Sequence, residues 1–209
     1  MKIAIATLLG RQPEPFYETL REQVEDSVDA ILIRQEQYEW TMDYALAHNE
    51  LINHARKEGF THVLFMDADE GMFPEEIELI KKYLMQYDIV RIPTLEFAQD
   101  FNHIRPEIYP DMHNRAFTLD ADKDIHYSLE QHLHEGLEMS DQYSLVMAPE
   151  CPIYHYGACK SAKLINAKYK HYAELEGKPY EDTTVFWGKL DLYLGKHPLM
   201  DYNVGDFIK

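Results

Sequence analysis

Apolar residues recur along the first part of this chain in two alternating rhythms. Lys2 to Leu8 is a short, nearly unbroken apolar run, as expected of a strand buried on both faces. From Glu14 to Ser27, Phe16, Leu20 and Val24 fall at helical spacing. Ala30 to Ile33 reads as a second short strand. Trp40 to Lys57 carries Tyr44, Leu51, Ile52 and Ala55 on one stripe, and Gly59 closes the predicted helix. His62 to Met66 is a third strand. Pro74 to Tyr87 has Ile77, Ile80 and Leu84 on its inward face, and Asp88 to Ile92 makes a fourth strand. Strands alternating with helices in this way predict a mostly parallel sheet covered by helices on both faces.

After Pro93 the rhythm changes. Residues 94–127 are rich in His, Asn, Asp, Pro and Arg and offer only short strand candidates such as Asn114 to Leu119. Ser144 to Ala148 and Pro152 to Tyr156 are further short strands. Two helices are expected to follow. One runs from Ser161 to Glu176, capped by Ser161 and ended by Gly177; the other runs from Glu181 to Leu194, ended by Gly195. With 209 residues, no repeat and no linker, the chain is expected to form one α/β domain spanning 1–209.

Composition narrows the partners. The chain has 37 acidic and 20 basic residues, a formal net charge of −17, which disfavours nucleic acid and anionic membranes as main partners. No apolar run reaches the ~18 residues of a membrane-spanning helix, and the N-terminus lacks a signal-peptide pattern. Cys151 and Cys159 are the two cysteines; free thiols in a reducing, cytoplasmic compartment are the expectation.

The chemistry concentrates where the third strand ends. Asp67-Ala68-Asp69-Glu70 places three acids in four positions, followed by Pro74, Glu75 and Glu76 as a helical first turn. In open α/β sheets ligands bind at the carboxyl ends of strands. If the chain stays extended, Asp67 and Asp69 point the same way and can share one target, with a hard divalent cation relieving their repulsion. A solvated surface turn is the plain alternative, and Glu70 suits either orienting the pair or capping the helix. An EF-hand is excluded because Met72 stands where its loop needs glycine and a strand leads in. A haloacid dehalogenase-type phosphohydrolase also places Asp-x-Asp after a strand, but Gly71 stands where its motif wants threonine or valine.

Four stretches taken together resemble the family 2, inverting glycosyltransferases of the GT-A fold. Phe65-Met-Asp-Ala-Asp-Glu70 is similar to their Asp-x-Asp segment, and Asn49-Glu-Leu-Ile-Asn-His-Ala55 to an upstream segment, with His48 where relatives carry arginine. His132-Leu-His-Glu-Gly-Leu137 is similar to a His-Glu segment of a subgroup whose acceptors are often glycans. Ile153-Tyr-His-Tyr-Gly157 and the helix of Lys163 to Tyr172 are similar to that subgroup's metal-histidine strand and following helix. The resemblance implies a single GT-A-like domain, with residues 1–93 binding the nucleotide sugar and 94–209 the acceptor. It implies transfer of a sugar from a nucleoside-diphosphate donor, UDP-linked in many relatives, to a hydroxyl of a glycan or other acceptor. Mn²⁺ or Mg²⁺ would be held by Asp67, Asp69 and His155, with Asp67 and Asn49 on the donor. Glu135 would be the general base, with Glu130 and Asp111 in reserve. Read alone, His155 equally suits a hydrogen-bonded core residue. One departure concerns the base: Arg34-Gln35-Glu36-Gln37 follows Ile33 where relatives carry an aspartate that reads it. His126, His132 and His134 match no closed zinc spacing. Tyr109, Tyr127 and Tyr154 lie in the irregular half, where a ring could stack on a sugar.

Overall fold

β1 (Ile3–Leu9) shows why the first run is a strand: its even and odd residues feed opposite faces of one sheet. Ala4 and Ala6 pack on one side, beneath Leu51, Ile52 and Ala55 of α2 (Tyr44–Lys57). Ile3 and Ile5 pack on the other, with Ile77 and Ile80 of α3 (Pro74–Leu84). The structure, a computed structural model, describes residues 1–10, 14–35, 43–120, 124–129, 136–180 and 190–200. α1 (Tyr17–Val24) is shorter than its periodicity predicts and tightens into a single 3₁₀ turn over Glu25–Ser27. Asp43 caps α2 by accepting the Leu46 N–H, and the predicted start of that helix at Trp40 lies outside the described residues. At α3 the Glu76 carboxylate accepts the Phe73 N–H at 2.7 Å.

β1 pairs in parallel with β2 (Ala30–Gln35) and β3 (His62–Phe65). After β3 come the two-residue β4 (Glu70–Gly71) and then β5 (Ile89–Ala98). β5 corrects the expectation that the regular half stops before Pro93, because the strand runs straight through the proline. Pro93 falls where β5 changes neighbour along one edge. β10 (Leu145–Met147) pairs as far as Arg91, and β11 (Ile153–Ala158) begins at Thr94. A proline is tolerated where the ladder is interrupted.

The short strand read over Asn114–Leu119 is longer and central. β7 (Asp111–Thr118) lies antiparallel between β3 and β5, so the sheet order is β2-β1-β3-β7-β5. The sheet is therefore mixed, with its β1, β2 and β3 segment parallel. β6 (His103–Ile104) extends β5, and β8 (Ile125–Tyr127) and β9 (Leu137–Met139) form a separate hairpin beside α2.

Of the predicted last helix, 181–189 lies outside the described residues, and its end is a strand instead: β12 (Asp191–Leu192) pairs antiparallel with β6. α4 (Ala162–Glu176) forms as predicted and ends on Gly177 at φ 63°. Ser161 occupies its N-cap without a side-chain hydrogen bond. Cys151 and Cys159 are buried free thiols. Among the described residues no helix is long and apolar enough to cross a membrane.

Candidate active site

The acidic run sits in a tight turn, not an extended strand. The Glu70 N–H donates to the Asp67 carbonyl at 3.0 Å, and the Asp67 N–H donates to Glu70 Oε2 at 2.7 Å. This turn splits the two aspartates. Asp67 stays partly exposed, its Oδ2 3.8 Å from Arg115 of β7, while Asp69 turns inward and is buried.

What Asp69 meets is decided by a long-range pairing. β4 lies antiparallel to β11, placing Glu70 opposite His155 and Gly71 opposite Tyr154. The Tyr156 N–H donates to the Asp69 carbonyl at 2.8 Å. His155 Nε2 then lies 3.5 Å from Asp69 Oδ1. Gly157 makes the space: a Cβ there would come within 2.4 Å of His155 Nε2 and 3.1 Å of Asp69 Oδ2. Past the end of β11, Lys160 reaches back with Nζ 2.8 Å from Asp69 Oδ2 and 2.5 Å from Glu14 Oε2, in the segment between β1 and α1. Beneath them Arg115 Nη2 pairs with the fully buried Glu70 Oε1 at 2.7 Å.

The charges answer one another. Burial alone would raise the Asp69 pKa, but Lys160 and His155 hold it well below the usual carboxylate range. Burial works against the charged form of His155, yet Asp69, Glu70 and Glu96 bring it up to about 9. Burial and the charge of Asp69 push Glu14 up to about 7, against the pull of Lys160. Glu70 is raised to about 7 by burial, with Arg115 opposing. Lys168 of α4 would be lowered by burial and is raised instead by Asp69 and Asp67. Repulsion among the acids, read from the sequence as a reason for a metal, is thus already relieved by the chain's own cations.

Whether the residues suit Mn²⁺ or Mg²⁺ turns on Asp69 and His155. A carboxylate oxygen and an imidazole nitrogen 3.5 Å apart, in a cradle that a Cβ at Gly157 would fill, are a chemically suitable pair of donors. Hard cations of this kind commonly keep waters and take substrate phosphate oxygens as remaining ligands. Among the described residues no group of three or more His, Cys, Asp or Glu side chains converges on one point, so these residues offer two donors rather than a cage. Asp67 stands to one side with Arg115.

The other predicted residues are placed as follows. Asn49 commits its amide to the Tyr127 backbone, donating to the carbonyl at 2.9 Å and accepting the N–H at 2.7 Å. Glu135, Glu130, His132 and His134 lie outside the described residues. Asp111 is exposed at the start of β7, beside His113 at 3.0 Å. Tyr127 and Tyr154 are buried, Tyr154 donating to Glu76 at 3.1 Å, so neither presents a face for a sugar, whereas Tyr109 is exposed. Sequence reasoning missed Glu14, Arg115 and Lys160, which stand in no motif, and did not single out Lys168 within the helix of Lys163 to Tyr172. A small cavity of about 20 Å³, room for a water molecule, adjoins Asp67 and is lined by Thr7, Tyr17, Arg21 and Met66 with Leu20 and Val24.

This layout is a single-domain α/β fold, a mixed sheet flanked by helices with its acidic turn at the carboxyl end of β3. Among solved structures the chain is similar to S. aureus TarS, with a TM-score of 0.51 and 12% identity over 81% of this chain and 40% of that one. It is likewise similar to TarS 1–349 in complex with UDP, with a TM-score of 0.50 and 10% identity over 88% of this chain and 68% of that one. The chain thus spans less than half the length of the longer TarS chain. No protein-family model and no curated protein sequence matches it.

Proposed function

We propose that this protein is a glycosyltransferase that takes a sugar from a nucleoside-diphosphate donor, with a divalent cation held by Asp69 and His155 and with Asp67 beside it. The observation that carries the reading is the meeting of Asp69 and His155 at the carboxyl end of β3, within a fold similar to that of TarS. The UDP complex of TarS motivates uridine as the first base to try. When bound, the cation offsets negative charge developing on the departing diphosphate.

The chain's own residues do the rest. Glu70, pinned by Arg115, fixes the Asp67 turn through its hydrogen bond to the Asp67 N–H. Lys160 and Lys168 put further positive charge beside Asp69, where the leaving group's charge accumulates. Asn49 anchors β8, which leads towards the segment carrying Glu135. Glu135 is the proposed base: its carboxylate accepts the proton of an acceptor hydroxyl attacking from the face opposite the diphosphate, which inverts the anomeric centre.

Nothing observed favours the phosphohydrolase alternative, whose nucleophile would be Asp67. The two readings separate in one assay. A panel of UDP-sugars with Mn²⁺ is expected to release UDP, and with an acceptor to give a product of inverted configuration by NMR. Phosphate release from an aryl phosphate without UDP release would overturn the proposal, and nucleotide binding with no turnover would leave a binding domain.

A further inference from the structure

The Lys160 ammonium is held by two carboxylates, 2.8 Å from Asp69 and 2.5 Å from Glu14. All three side chains are largely buried, with 13% exposure for Lys160, 9% for Asp69 and 13% for Glu14. Nζ holds Asp69 Oδ2 while His155 faces Oδ1, so a cation on Oδ1 would share one buried carboxylate with the ammonium. A divalent ion on Asp69 and an ammonium still within hydrogen-bond reach of the same carboxylate would repel each other strongly in so sheltered a setting. One of them has to yield. The lysine can, because its charge rides on a flexible four-carbon stem and its ammonium carries three donors. It also has somewhere to go: among the described residues Glu14 Oε1 is buried with no hydrogen-bond partner, next to the oxygen Lys160 already holds.

From this arrangement, and resting on the reading that Asp69 takes a divalent cation, we infer that Lys160 is a resident counterion that competes with the metal for Asp69 and retires onto Glu14 and the donor's diphosphate when the metal binds. Before metal binds, the lysine keeps two buried acids paired, which avoids the penalty of leaving charges uncompensated. In doing so it keeps metal affinity low until a diphosphate arrives to accept the displaced ammonium. Metal and donor then bind co-operatively, each raising the other's affinity by the same factor.

The test is Mn²⁺ binding itself, read from the electron paramagnetic resonance signal of free Mn²⁺ as MnCl₂ is titrated, with and without UDP. Wild-type protein binds Mn²⁺ weakly alone and more tightly with UDP. Lys160→Met binds Mn²⁺ alone on the order of tenfold more tightly, and the gain from UDP shrinks, a change within the usual range of site coupling. Glu14→Gln acts in the opposite direction: Lys160 is left with Asp69 as its one charged partner of the two, and Mn²⁺ binds more weakly. This second variant keeps Asp69 paired, so the test survives if Lys160→Met folds poorly by its thermal midpoint. Unchanged or weaker Mn²⁺ binding in folded Lys160→Met, or unchanged binding in Glu14→Gln, overturns the inference while leaving the metal reading intact. No Mn²⁺ binding by any form, with or without UDP, overturns both.

Discussion

At the scale of single residues the site depends on what is missing as well as on what is present. Gly157 has no side chain, and a methyl group there would overlap the His155 ring. Gly157→Ala is expected to push the imidazole away from Asp69 and weaken Mn²⁺–UDP binding by on the order of tenfold or more, the scale on which misplaced metal ligands act. Titration calorimetry checks it, with a near-native thermal midpoint showing that the fold survives. Arg115 carries a different kind of load. It is the close cationic partner of a carboxylate that is 1% exposed. Arg115→Ala is expected to destabilise the fold by about 3 kcal/mol by leaving the buried Glu70 carboxyl without its cationic partner. Adding Glu70→Gln to Arg115→Ala should recover much of that loss in urea denaturation. Asp69 and His155 were legible in the sequence because each lies in a short motif. Glu14 and Lys160 were not: the Lys160–Asp69 contact spans 91 positions, and neither side chain's neighbours in sequence mark it.

At the scale of elements, the helices were the most legible part, since Ile77, Ile80 and Leu84 do form the buried face of α3. Strands were harder. β7 lies between two other strands, yet its run Asp-Met-His-Asn-Arg-Ala-Phe-Thr is polar at its start, because β3 pairs only with Ala116 to Thr118 and the earlier residues run past its end, where they are more exposed. The turn at Asp67 was misread as extended because its defining hydrogen bond comes from Glu70, a residue with no turn signature. The start of α3 carries a pH prediction. Burial raises the Glu76 carboxyl to about 7, against the Phe73 and Tyr154 hydrogen bonds. An acid whose pKa is raised on folding adds stability below its unfolded value, near 4.5, and loses that contribution as pH rises through about 7. Thermal midpoints measured at pH 5 and pH 8 should fall with rising pH through this group, and Glu76→Gln should flatten that part of the profile.

At the scale of the whole molecule, a chain of net charge −17 has gathered Arg115, His155, Lys160 and Lys168 around its acidic turn. The global field repels an anionic donor, while the local cations and a bound metal attract it, and the local terms act at short range in a sheltered site. Binding should therefore strengthen with moderate salt, which screens the distant acids more than the buried pairs; UDP affinity at two ionic strengths measures this. The proposed function requires that a nucleoside diphosphate be bound through a divalent cation at Asp69. Its most direct test is calorimetric titration of UDP into the wild-type protein with Mn²⁺, repeated with excess chelator and with Asp69→Ala. A saturable heat with Mn²⁺ that disappears in both controls is expected; UDP binding of equal strength in chelator, or in Asp69→Ala, would rule the metal-bridged site out.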